Sequence, residues 1–149
     1  MEVLYYDNHV LVVKKAPGIP TQSEEGISVE KEARLWVKAH FKKKGEAFVH
    51  ALHRLDKPVS GIVLLAKTSK ALERLHASFR NKCIKKTYVA LVEGDFDTEL
   101  CRLEDYLVQV EFRAKKAEQG DPGAKLCVLN VRVIKRFGFA TLLEVDLET

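Results

Sequence analysis

Between His53 and Lys67 a charged segment, His53-Arg54-Leu55-Asp56-Lys57, meets the breakers Pro58, Ser60 and Gly61 and then the apolar run Ile62 to Ala66. A short apolar run bounded by breakers reads as a buried strand. The turn ahead of it is therefore fixed where the strand enters the core, and that turn presents one carboxylate, Asp56. Arg54 precedes the acid by two positions and Lys57 follows it directly, so cations lie within reach that keep it ionised at neutral pH. A carboxylate held in this way can act as a nucleophile. For an isolated Arg-Leu-Asp triplet the simpler role is a turn aspartate bonded to Arg54 and nearby amides.

The rest of the chain alternates short strands with two helical patterns. Val3 to Tyr6 and Val10 to Lys14 have strand character on either side of Asp7-Asn8, with Pro17-Gly18 as the closing turn signal of a hairpin. From Ser28, a capping residue, Val29, Ala33, Trp36, Val37 and Phe41 recur at helical spacing, and Lys42 to Gly45 suit the end of that helix. Its apolar stripe is core, which gives Trp36 a structural role. A second helix spans Ser69 to Arg80, with Ser69 as cap and Leu72, Leu75 and Phe79 on one face. Thr87 to Val92 is a β-branched strand stopped by Gly94-Asp95, and Leu126 to Lys135 and Ala140 to Leu147 form a hairpin around Gly138. Gln119 to Gly123 is the clearest loop. The pattern predicts an α+β fold, a mostly antiparallel sheet with flanking helices. No repeat or shift in composition divides it, so 1–149 reads as one domain.

Composition narrows the class. The chain has 149 residues, 46% hydrophobic and 31% charged, enough for a core without disulfides or metals. No apolar stretch approaches the roughly 20 residues that span a bilayer, and Met1 to Tyr6 already read as a strand rather than a leader. A cytoplasmic location is expected. Cys83, Cys101 and Cys127 are widely spaced, without a Cys-x-x-Cys pair, and read as free thiols. His50 and His53 have ligand-like spacing but no accompanying cluster in sequence, so no metal is expected. The net charge of +4 is modest. Basic runs at Lys42 to Lys44, Arg80 to Lys86 and Arg113 to Lys116 are placed near helix ends or loops, where they can meet phosphates; taken singly, each is more simply a solvated surface.

His53-Arg54-Leu55-Asp56, Ser60-Gly61 and the apolar run ending Ala66-Lys67-Thr68 closely resemble the RluA-type RNA pseudouridine synthases. The resemblance extends to Asp7 through Lys-Ala-Pro-Gly ending at Gly18, and to Lys85-Lys86-Thr87-Tyr88 through Glu93-Gly94; Asp95 to Gly123 carries it weakly. It implies the pseudouridine synthase catalytic fold, isomerisation of uridine in structured rRNA or tRNA, no cofactor and no metal. Asp56 takes the place of the nucleophile, as in retaining glycosidases. Tyr88 takes the place of the active-site tyrosine, stacking on the flipped uracil or assisting proton transfer; by strand pattern alone it would be core. Arg54 would contact a phosphate or stack where the base leaves, its simpler alternative being an ion pair with Asp56. Lys57, Lys85 and Lys86 would hold the RNA backbone.

In this family a strand like Leu142 to Glu148 runs on into a Gly-Arg-Thr-His-Gln-Ile-Arg segment, whose arginine pairs with the aspartate, whereas this chain ends at Thr149. The expectation is an incomplete catalytic domain, without a separate amino-terminal RNA-binding module. Two other readings compete. One is a catalytically impaired or non-catalytic RNA-binding protein on the same scaffold. The other is a nucleoside or glycoside hydrolase, for which no second carboxylate stands in a comparable motif.

Overall fold

The computed structural model describes residues 1–111 and 113–149. They form two compact units, Met1–Asn81 and Lys82–Thr149.

The first unit is built on period-two alternation. Strands β1 (Glu2–Tyr6), β2 (Val10–Lys15), β3 (His50–Ala51) and β4 (Gly61–Ala66) form a sheet in the order β1-β2-β4-β3. The first hairpin turns at Asp7, whose Oδ1 accepts from the amides of His9 and Val10, both at 2.7 Å. Pro17-Gly18, expected to close that hairpin, lies beyond β2 instead, and the Gly18 amide donates to the Lys57 carbonyl at 2.8 Å. β2 and β4 pair antiparallel, with Leu11 opposite Leu65, Val13 opposite Val63 and Lys15 opposite Gly61. Successive side chains of a strand point to opposite faces, so Leu11, Val13 and Lys15 share one face and all are buried. Helix α1 (Val29–His40) covers that face with Val29, Ala33 and Val37. Trp36 packs against the same core and stacks on His40 with ring centroids 4.5 Å apart.

The opposite face of β4 carries Leu64 and Ala66, covered by Leu72, Leu75 and Phe79 of helix α2 (Ser69–Arg80). β4 is thus sandwiched between helices at its end, but Ile62, expected in a wholly buried strand, is 60% exposed because its face is uncovered where the strand begins. Gly61 has φ +152°, and a Cβ there would lie 3.1 Å from Leu55 Cδ1, so a larger residue would meet both backbone strain and a tight contact. α2 is capped by Thr68 rather than Ser69: Thr68 Oγ1 accepts from the Ala71 amide at 3.2 Å, and Ser69 is the first helical residue.

The second unit is a five-stranded sheet, β5 (Thr87–Glu93), β6 (Leu100–Val110), β7 (Arg113–Ala117), β8 (Lys125–Arg136) and β9 (Ala140–Leu147), in the order β5-β9-β8-β6-β7. Its core is Val131, Val133 and Leu143, with Val92, Phe96 and Val145 against it. Among the described residues every strand pairing in both sheets is antiparallel. The β6-β7 hairpin occupies the weakly legible stretch, and Arg113 to Lys116, expected near a helix end or loop, lie in strand β7. The three cysteines are free thiols.

The cap assignment for α2 is testable by urea unfolding. Thr68→Ala should cost about 1 kcal/mol, and Ser69→Ala should stay within about 0.5 kcal/mol of the parent.

Candidate active site

Asp56 stands on the loop between β3 and β4, with its side chain exposed. Its own carbonyl accepts from the Val59 amide at 3.0 Å, closing a tight turn. What holds this turn comes from the segment that follows β2. Lys15 is 1% exposed, and its Nζ donates to the carbonyls of Ala16 and Lys57, each at 3.1 Å. The Lys57 carbonyl therefore receives two donors, the Lys15 ammonium and the Gly18 amide. On the other side of the acid, Thr21 is bonded to both the amide and the carbonyl of Leu55.

Lys15 is a buried cation whose position follows from strand parity with Leu11 and Val13. Burial holds its ammonium below the usual lysine range, and the charge of Asp56 acts in the opposite direction. The described ion pairs include none between Asp56 and either Arg54 or Lys57. Both flanking cations are exposed. The buried cation that feels the charge of Asp56 is thus Lys15, which sequence reading passed over by ending the strand at Lys14. The signal was present, since Leu11-Val13-Lys15 continues the inward alternation.

The flanking elements are tied down separately. Glu30, buried on α1, accepts from Gln22 Nε2 at 2.8 Å and from the Ala51 amide at 3.0 Å, and it also pairs with Arg34. These bonds fasten the helix to β3, just ahead of the His53-Arg54-Leu55-Asp56 segment. A cleft of about 300 Å³ opens beside Arg54, lined also by Gln22, Glu24, Glu30, Lys31 and Arg34. His53 Nε2 accepts from the Leu64 amide at 3.2 Å, and its ring lies 5.6 Å from that of Phe79. His50 approaches Glu30 instead, at 3.8 Å. The two histidines therefore have different partners despite their spacing.

The structure brings Arg54, Asp56 and Lys57 together on one loop of the first unit. The other three candidates lie in the second unit. Lys85 is exposed and Lys86 half-buried just before β5, where the Lys86 carbonyl accepts from the Leu147 amide at 3.2 Å. Tyr88 is half-buried on β5, paired with Val145 and alternating with exposed Thr87 and Val89.

Residues 9–149 match the family described as RNA pseudouridylate synthase. The ribosomal large subunit pseudouridine synthase C of Buchnera aphidicola from Acyrthosiphon pisum is 31% identical over 146 residues, covering 96% of this chain and 45% of the relative. The protein of the same name from Escherichia coli is 31% identical over 149 residues, covering 95% of this chain and 43% of its own length. The chain thus spans less than half the length of these relatives. Among solved structures, Human RNA Pseudouridylate Synthase Domain Containing 4 shares the fold, with a TM-score of 0.83 at 20% identity over 99% of this chain and 59% of that one.

The buried ammonium gives a pH signature. Because the folded-state pKa of Lys15 is lowered from 10.5, the unfolded chain binds more protons between the lowered value and 10.5, and stability rises with pH across that window. Lys15→Met removes this contribution. Urea unfolding at about pH 7 and about pH 10 should show the parent gaining stability relative to Lys15→Met at the higher pH; an unchanged difference would show that Lys15 pays no burial cost on folding.

Proposed function

This chain belongs to the RNA pseudouridylate synthase family, and on that premise we propose that it isomerises uridine to pseudouridine in structured RNA, with Asp56 as the nucleophile. The observation that carries this reading is the pairing of an exposed carboxylate with a main chain pinned on both sides of it. Such a group is open to substrate yet loses little on being positioned, which is the condition for efficient attack.

The reaction breaks the N1–C1′ bond of uridine and makes a C5–C1′ bond, while the hydrogen on C5 goes to solvent and N1 gains one. Between the two events C1′ is electron-deficient. Asp56 meets that need by bonding to C1′ or by standing as its counter-charge, and is released when C5 takes its place. Tyr88 stacks on the extruded uracil, and its hydroxyl assists the proton transfer at C5. Arg54 occupies the space left by the base or holds a phosphate, and Lys57, Lys85 and Lys86 hold the backbone without choosing a sequence. Because the relatives are named for the ribosomal large subunit, large-subunit rRNA is the first substrate to try, with tRNA the second. Arg54, Lys57 and Lys85 take part in none of the described ion pairs. They also support a second reading, an RNA-binding scaffold that does not turn over.

The test is release of tritium from unmodified rRNA labelled at C5 of uridine. In a form extended through the Gly-Arg-Thr-His-Gln-Ile-Arg segment, the protein should release tritium and Asp56→Asn should not; release by that variant would exclude Asp56 as nucleophile, and RNA binding by the extended form without release would favour the second reading. Tyr88→Phe should keep its RNA affinity while the single-turnover rate falls by about 10²-fold, and an unchanged rate would leave Tyr88 with stacking alone.

A further inference from the structure

We propose that Thr21 is the positioning residue that sets Asp56 for attack, a role that rests on reading Asp56 as the nucleophile. Thr21 is 2% exposed and therefore does not meet RNA. Its hydroxyl accepts from the Leu55 amide at 3.0 Å and donates to the Leu55 carbonyl at 2.9 Å. A hydroxyl is the smallest side-chain group that can do both. Together the two bonds fix the orientation of the peptide planes on either side of Leu55, and the second of those planes carries the amide of Asp56.

The clamp has a firm base. The Thr21 carbonyl accepts from the Glu30 amide at 3.1 Å, and the Pro20 carbonyl accepts from the Val29 amide at 3.0 Å, so the threonine is fastened to the first turn of α1. Leu55 is held on its side chain as well, against the core that α1 covers and in close approach to Gly61. The bonds to Lys57 described above fix the far side of the turn. Thr21 is the one side chain among these that grips the residue directly before the acid at both of its polar atoms. Without it, Leu55 would keep its apolar contacts but lose the register of its main chain, and the carboxylate would sample positions from which C1′ is out of line.

Two substitutions separate this role from general stability. Thr21→Val keeps the volume and the β-branch but can form neither bond; Thr21→Ser keeps both. In the full chain, amide hydrogen exchange at Leu55 should speed up by about tenfold or more in Thr21→Val, since its hydrogen bond is gone, and return near the parent value in Thr21→Ser. In the form extended past Thr149, single-turnover tritium release should fall by about 10 to 10²-fold in Thr21→Val, with RNA affinity unchanged and recovery in Thr21→Ser. Unaltered exchange at Leu55 in Thr21→Val overturns the proposal whether or not RNA is turned over. So does a parent-like rate in Thr21→Val alongside an inactive Asp56→Asn. Turnover retained in Asp56→Asn would instead remove the nucleophile reading, and is told apart because exchange at Leu55 does not depend on the acid.

Discussion

The antiparallel pairing of β2 with β4 is the constraint from which the first unit follows. Its register sets Leu11 against Leu65 and Val13 against Val63, and the strand alternation then decides which face α1 covers and which is left to α2. A shift by one residue would turn Leu11 and Val13 outward and remove the core. The same register ends at Lys15 opposite Gly61, so the last inward position of β2 is filled by a cation just where β4 emerges from the Asp56 loop. The burial of that lysine is a cost of desolvation. It is offset by two carbonyl bonds and by the nearby carboxylate.

A consequence is that the loop bearing Asp56 is ordered by the fold rather than by itself. Leu55 and Lys57 are bonded to side chains 34 and 42 residues earlier in the chain. The carboxylate between them stays exposed and unpaired by its sequence neighbours. This division combines rigidity in the backbone with accessibility in the carboxylate, the condition for positioning a group at little cost.

Much of the fold was legible because it depends on local pattern. Both helices, β2, β4, β5, β8 and β9 were found close to their observed bounds, since each has a face that is buried or half-buried at its own period. β6 and β7 were not legible: β6 is exposed along most of its length, so no alternation marks it, and its order comes from pairing with β8 and β7. The choice between Thr68 and Ser69 as cap turned on one residue of helix phase, which pattern does not resolve. At the candidate site, the exposed loop that carries Asp56 was legible through its motif. Lys15 and Thr21 were missed because their meaning lies in contacts far apart in sequence, and a lysine at a strand end or a threonine after a proline is unremarkable until the chain closes over it.

Gly61 bears on how variants of this protein would be interpreted. Its backbone angle and its closeness to Leu55 place a folding requirement inside the same motif as Asp56. On the reading of Asp56 as nucleophile, missense change there removes chemistry and spares the main-chain bonds of the turn, whereas missense change at Gly61 pushes on Leu55 and on the first pair of the β2-β4 ladder. In a genetic screen both would score as loss of function, but only the second would lower the amount of protein in the cell. Abundance, measured beside activity, therefore separates the residues that act from the residue that lets the strand begin.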